Sequence, residues 1–224
     1  MTDIQPIILS LELASITTAL LFLFAVPLAY LLSENDFKLK PVVSAIISMP
    51  LVLPPTVLGF YLLVAFSPNN FLGGIIEKIF NLRLVFSFEG LVLASMIYSL
   101  PFMLNPIQAG LESLPASMKE ASYTLGKSKF QTLIKVLLPN IKPSLLTGVV
   151  LSFAHTIGEF GIVLMIGGNI PGKTRVASLA IYDEVESLNY HNANVYALTL
   201  FMVTFLILLT VYVFNRRYLK SGRL

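Results

Sequence analysis

Three groups of residues in this 224-residue chain have types and spacings that chemistry could use. Gly167 to Thr174 reads GGNIPGKT and satisfies the phosphate-loop formula G-x-x-x-x-G-K-[ST], while Leu179-Ala180-Ile181-Tyr182-Asp183 imitates the acidic strand that would hold magnesium. His155 and Glu159 lie four apart, the spacing that puts two ionisable groups on one face of a helix. Ser117 with Glu120, and Ser128 with Gln131, fit the capping box S-x-x-[EQ], in which two side chains satisfy the free N–H groups that open a helix. The first group suggests nucleotide hydrolysis, the second proton or anion handling, the third a shaped docking surface. Which of these applies depends on the elements that carry them.

Those elements belong in a membrane. Only 12% of residues are charged against 56% hydrophobic, and the apolar residues come in blocks rather than at the period of an amphipathic helix. About 20 residues are needed to cross a hydrocarbon core of ~30 Å. Spans are expected at about 7–32, with Glu12 its only charge, 42–66 with none, 88–107, whose stretch Leu91 to Ile107 is uncharged, 145–166, interrupted by His155 and Glu159, and 195–214. Residues 175–190 offer a further short or re-entrant helix, because the apolar run Val176 to Tyr182 is stopped by Asp183, Glu184 and Glu186. The expected fold is all-α and integral to the membrane, with five or six spans in a single domain over residues 1–224. The first apolar segment lacks a basic flank and is too long for a signal-peptide core, so it reads as a span. Cysteine is absent, which removes disulfides and thiolate metal sites from consideration.

Basic residues choose the orientation, since cytoplasmic loops hold an excess of Lys and Arg. With five spans and an outside N-terminus, the inner side receives Lys38, Lys40, Lys119, Lys127, Lys129, Lys135, Lys142, Arg216, Arg217, Lys220 and Arg223. The outer side keeps Lys78, Arg83, Lys173 and Arg175, which makes N-out, C-in the preferred arrangement. A net charge of +3 then reflects sidedness and gives no reason to invoke nucleic acid.

This topology opposes nucleotide hydrolysis. A phosphate loop must follow a buried strand and open a helix within a soluble βαβ unit, whereas GGNIPGKT leaves a span on the outer side, where ATP is not available. Only eight residues separate Thr174 from Asp183, fewer than a crossover helix and return strand need. The run is therefore expected to be a false phosphate loop.

The longest polar interval, Leu111 to Pro143, lies between the third and fourth spans. It reads as one helix opened by Ser117 and Glu120 and ending at Leu125, a left-handed Gly126, and a second helix opened by Ser128 and Gln131, with Pro139 and Pro143 returning the chain to the membrane. An idle loop needs only a few residues, so this one suggests a surface for another protein. The run Glu120-Ala121-Ser122, Gly126, Val136, Leu138 and Pro139 resembles the EAA loop of ABC-importer permeases, with Ser122 in place of the second Ala. The resemblance implies that Glu120, Ala121, Ser122, Leu125, Gly126, Lys127 and Ser128 form the element that docks in a groove of a cytoplasmic ABC ATPase. Taken singly, Glu120 as a plain cap and Gly126 as a plain terminator remain open.

A second resemblance covers His155 to Tyr182, HTIGEFGIVLMIGGNIPGKTRVASLAIY, which is similar to molybdate permeases; these share the GEFG and GNIPGKT elements with sulfate permeases. It implies the type I importer permease fold, a homodimer forming one pathway in a prokaryotic cytoplasmic or inner membrane, an ATPase docked on each copy, and an external or periplasmic binding protein that delivers molybdate, with tungstate and sulfate as alternatives. On that reading the chain makes and breaks no bond and needs no cofactor or metal. An ATP-independent carrier would display inverted repeats and an intramembrane hydrolase a paired nucleophile and base; neither pattern is found.

Inside the spans, Pro50, Pro54 and Pro55 remove backbone donors and are expected to break or kink the second span, which is tolerated where the freed groups face protein or a watery cavity. Pro54, Pro55, Thr56 and Glu159 are the pathway or gate candidates. For Glu159 the packing alternative is preferred, since an ionised carboxylate repels an anion. Lone His155 makes a poor metal site. Ser95, Ser99 and Asn105 offer polar contacts that ordinary helix packing would use equally well.

Overall fold

The computed structural model describes residues 3–221, with side chains described through residue 213. The chain opens with α1, Gln5–Glu34, whose Pro6 occupies the first turn, where no intrahelical N–H partner is needed. Leu13, Thr17, Leu21, Ala25 and Ala29 recur every fourth residue and form its buried stripe. α2, Lys40–Ser48, runs through a 3-10 turn at Met49–Leu51 and stops before Val52; α3, Pro55–Phe66, resumes after a bend of 111°. Pro54 and Pro55 sit at that break because neither carries the N–H a continuous helix would require. α4, Phe71–Phe80, follows a turn capped by Asn70.

α5, Phe88–Glu112, starts where Ser87 Oγ accepts the Gly90 N–H at 3.1 Å, and it forms the centre of the bundle, packed on α1, α9, α10 and the α2–α3 pair. Then come α6, Ala116–Thr124, α7, Lys129–Thr132, a π turn at Leu133–Leu137 and α8, Leu138–Asn140. After an 80° bend α9, Lys142–Ile157, climbs beside α5. α10, Gly161–Gly167, α11, Ala177–Glu186, and the long α12, Tyr190–Ser221, complete the order. Among the described residues every regular element is helical.

Two apolar clusters fill the bundle at different depths. One joins Leu21, Ala25, Ile47, Met103, Ile107 and Leu137; the other joins Leu13, Leu84, Leu91, Ile162, Ile166 and Leu179. In a bilayer such clusters are held by close van der Waals fit, because lipid tails are as apolar as leucine. The clusters also define two ends. At one end Phe86 N–H donates to the Ile166 carbonyl and Ala177 N–H donates to Ser10 Oγ, both at 2.8 Å. At the other, Lys119 pairs with Glu34, and Lys40 lies 3.3 Å from Asp36 and 3.8 Å from Glu112.

Two expectations need correction, and one helix lies where none was expected. The stretch 145–166 is not one continuous helix: α9 stops at Ile157 and α10 begins at Gly161, leaving Gly158 to Phe160 as a break. The Ser117–Glu120 capping box does not form, because Pro115 takes the N-cap with an extended ψ of 138° and makes Ser117 a residue of the first turn. α4 was not anticipated, since its 10 residues are too few to span and Glu77 and Lys78 interrupt them. Arg223, counted among the inner basic residues, lies outside the described residues.

Candidate functional site

The α6–α7 turn is built by local rules. At the end of α6 the Gly126 N–H bonds the Tyr123 carbonyl at 2.9 Å and the Lys127 N–H bonds the Ser122 carbonyl at 3.1 Å, the paired closure of a Schellman motif. Gly126 adopts the left-handed conformation this closure requires, at φ 73°, and a Cβ built on it would meet no atom within 4 Å. Ser128 then opens α7 with a complete capping box: its Oγ accepts the Gln131 N–H at 3.2 Å, and Gln131 Oε1 accepts the Ser128 N–H at 3.3 Å. The two helices are clamped by a buried hydroxyl pair, Ser122 Oγ to Thr132 Oγ1 at 2.8 Å. This contact was missed at the sequence level, where Ser122 read only as a small residue standing in for alanine.

Glu120, Ala121, Leu125, Gly126, Lys127 and Ser128 are all exposed, and only Ser122 of the coupling candidates is buried. Leu125 is 78% and Phe130 70% accessible, so the tip of the turn carries large apolar side chains with no cover from this chain. The surface is also wired to the bundle. Lys119 on α6 pairs with Glu34 at the end of α1, and the chain continues from α7 through α8 into α9.

Deep in the bundle the two helix breaks meet. An ideal Cβ on Gly161 would come within 2.8 Å of Pro55 Cβ and 3.2 Å of the Thr56 nitrogen, so the first turns of α3 and α10 touch through the one residue type that leaves room. Pro55, Thr56 and Gly161, the residue that ends the Gly158–Phe160 break, are thus brought together, with Thr56 exposed and Pro54 exposed beside it. Glu159 is 4% accessible, and neither carboxyl oxygen has a hydrogen-bond partner among the described residues; its backbone carbonyl accepts from Ser178 Oγ at 2.7 Å. His155, one turn earlier, stacks on Phe102 with ring centres 3.9 Å apart and faces Tyr98 at 4.5 Å. The two do not hydrogen-bond each other; the His155 partner is Ser99.

The end opposite the α6–α7 turn holds the GGNIPGKT run. Thr174 is fully buried, and its Oγ1 donates to the Gly167 carbonyl at 2.7 Å while accepting the Ile170 N–H at 2.9 Å, which closes the run into a knot after helix α10. Asp183 accepts from Asn169 Nδ2 at 2.9 Å through both oxygens and from Arg175 Nη2 at 2.5 Å, and Arg175 Nε donates to Asn169 Oδ1 at 3.2 Å. The Thr174 hydroxyl and the Asp183 carboxylate that suggested magnesium chemistry are each engaged with separate partners, the first with backbone groups of its own run and the second with Asn169 and Arg175. Nearby, a cleft of about 430 Å³ is lined by Ser67, Asn69, Asn70 and Arg83 together with the apolar Leu63, Val64, Pro68, Val85 and Phe86, a hollow that the scattered polar residues of 67–87 did not reveal.

Comparison with known proteins fits this geometry. The family model described as "Binding-protein-dependent transport system inner membrane component" matches residues 15–220. The molybdenum transport system permease protein ModB of Azotobacter vinelandii is 43% identical over 98% of this chain and 96% of its own length. The sulfate transport system permease protein CysT of Escherichia coli (strain K12) is 33% identical over 87% of this chain and 70% of its own. A bacterial alginate ABC transporter, solved in complex with an alginate pentasaccharide-bound periplasmic protein, superposes with a TM-score of 0.78 at 19% identity, over 97% of this chain and 79% of that one. The fold is that of the ABC-importer permeases, and the chain belongs to the binding-protein-dependent transport system inner membrane components, as a multi-pass membrane subunit of a transporter.

Proposed function

We propose that this chain is the permease subunit of an ATP-driven molybdate importer, working as a homodimer with one cytoplasmic ABC ATPase docked on each copy and an external or periplasmic binding protein supplying the anion. The observation that carries the reading is the α6–α7 turn: a Schellman closure and a capping box fix a tip whose Leu125 and Phe130 lie open for a partner. Glu120, Ala121, Ser122, Leu125, Gly126, Lys127 and Ser128 constitute the coupling element. The preference for molybdate is supported by the 43% identity to a molybdenum permease; sulfate is the second reading, supported by the 33% identity to a sulfate permease, and tungstate shares the same tetrahedral chemistry.

Closure of the ATPase pair would carry the turn with it. Two rigid links pass the motion inward, Lys119 to Glu34 on α1, and Ser122 to Thr132 and then the α7–α9 chain. The breaks at Val52–Pro54 and Gly158–Phe160 are where α3 and α10 change angle to face one side of the membrane or the other, so Pro54, Pro55, Thr56 and Glu159 are assigned to the gate. The end bearing α6–α8 is cytoplasmic on the count of basic residues, which leaves the N-terminus and the GGNIPGKT knot outside. There the knot acts as a structural seal rather than a nucleotide site, and the Arg83 cleft offers the anion its first positive contact. The apolar outer face of α12, with Leu198, Phe201 and Phe205 exposed, meets lipid.

The test is uptake of labelled molybdate and sulfate into vesicles holding this chain, its ATPase and its binding protein. Molybdate accumulation that requires all three components and ATP is expected. Equal uptake without the ATPase would convert the reading to an ATP-independent carrier, and preferential sulfate uptake would change the substrate.

A further inference from the structure

Three hydrogen bonds at mid-depth share a limited supply of hydrogens, and counting them fixes a tautomer. His155 Nδ1 lies 3.1 Å from Ser99 Oγ, Ser99 Oγ lies 3.0 Å from Thr156 Oγ1, and Thr156 Oγ1 donates to the Ser152 carbonyl at 2.9 Å. A carbonyl only accepts, so Thr156 commits its hydrogen to Ser152. Ser99 must then donate to Thr156, and its oxygen accepts from His155 Nδ1–H. With the hydrogen on Nδ1 all three contacts are satisfied; with it on Nε2, two hydrogens would serve three contacts. The neutral ring therefore turns a bare lone pair outward at Nε2.

Where that lone pair points matters. Nε2 has no partner among the described residues, yet it is absent from the atoms that are buried without one, so it reaches the surface. That surface is formed where two stripes meet: Tyr98, Phe102 and Asn105 of α5, and Thr147, Leu151 and His155 of α9, all wholly or partly exposed. A histidine and an asparagine turned to hydrocarbon would be costly, so polar groups at this depth mark a water-filled path or a protein partner. The exposed positions of α12 between Ala197 and Leu209, all of them apolar, are the contrast.

We propose that His155 is a proton-dependent contact for the passing oxyanion, an inference that rests on the import reading above. In the neutral ring Nε2 offers only a lone pair, which repels an anion whose oxygens are all acceptors. A proton taken from the aqueous path onto Nε2 gives the imidazolium, whose Nε2–H donates to an anion oxygen while Nδ1–H stays on Ser99; the proton returns to water when the anion moves on. The titratable groups nearest the ring in space and along the chain are Tyr98 of α5, whose ring centre lies 4.5 Å away, and Glu159, four residues on in the break after α9, whose carboxyl makes no hydrogen bond to it. The other helices packed on α9, namely α1, α8 and α12, contribute no acid or base to its hydrogen bonds, ion pairs or ring contacts among the described residues. Thr156 and Ser99 are positioning residues. Replacing Thr156 by Val frees the Ser99 hydroxyl to donate its hydrogen bond to Nδ1, which then accepts with its lone pair, so the ring hydrogen sits on Nε2 and the neutral ring donates there without taking up a proton.

Two histidines in the chain make this directly readable. ¹⁵N-histidine-labelled full-length chain in lipid nanodiscs, with His191→Asn to assign the signals, should show His155 above its titration carrying its hydrogen on Nδ1, and Thr156→Val should move it to Nε2. Ser99→Ala is the second variant, removing the middle hydroxyl with the same expected transfer. In the reconstituted importer, initial molybdate uptake by the wild type should fall about tenfold per pH unit above the histidine titration, and both variants should flatten that slope. A wild-type ring protonated at Nε2, or parallel pH slopes in wild type and both variants, would overturn the proposal. Absence of uptake at every pH, with the tautomers as expected, would instead overturn the import reading and with it the anion contact.

Discussion

Gly126 and Gly161 are both indispensable on this account, for opposite reasons. At Gly126 there is ample space and no permitted conformation: a Cβ would touch nothing within 4 Å, but φ is 73°. At Gly161 the conformation is ordinary and space is absent, since a Cβ would lie 2.8 Å from Pro55 Cβ. The first glycine serves a surface shaped by its own neighbours in sequence; the second serves a junction between helices about a hundred residues apart in the chain. One region is a rigid, exposed handle and the other a tightly fitted pivot.

That contrast can be broken by choosing the replacement. Gly126→Val should reduce ATP-driven uptake by more than about tenfold while the chain still inserts, because a β-branched residue pays roughly 1–2 kcal/mol or more for the left-handed conformation and pulls the turn out of shape. Gly126→Asn, which tolerates that conformation, should retain most of the uptake. Gly161 should behave the other way. Any side chain there overpacks the α3–α10 contact, at a cost of about 1–3 kcal/mol, so Val and Asn should lower the unfolding temperature in detergent alike, with no rescue by Asn. If Asn restored Gly161 or failed at Gly126, the distinction between conformation and space would be wrong.

Two smaller effects sharpen the picture. Thr174→Val removes a buried donor to Gly167 and an acceptor for Ile170, and should cost about 2 kcal/mol of stability, read as a lower unfolding temperature, with no ATP binding expected of wild type or variant; tight ATP binding by the wild type that the variant loses would reinstate the phosphate-loop reading. Ser122→Ala restores the commoner family triplet yet strands the Thr132 hydroxyl, and should cost about 1 kcal/mol. Adding Thr132→Val should recover most of that, because removing both partners leaves nothing unsatisfied. A fully additive double variant would show that the hydroxyl pair does not clamp α6 to α7.

Much of the handle was legible in the sequence, since caps and closures act over three to six residues. Ser128 with Gln131 formed its box and Gly126 took its left-handed φ. Even there a neighbour intervened: Pro115 claimed the N-cap and voided the Ser117–Glu120 box. The pivot was half legible. Prolines announced the break before α3, but Gly158 to Phe160 contains none, and its break reflects α10 seating against Pro55 and Thr56. Glu159 and His155 shared a helix face in sequence without bonding each other, because Ser99 and Phe102, over fifty residues away, took the imidazole. Contacts of that range leave no periodic trace in one sequence.

The central claim is that the α6–α7 tip is pushed from the cytosol by a separate motor, and the absence of native cysteine allows a direct test. Leu125→Cys should react with a membrane-impermeant maleimide in inside-out vesicles but not in intact cells, and bound ATPase should protect it. Labelling of that position from outside intact cells would contradict the account.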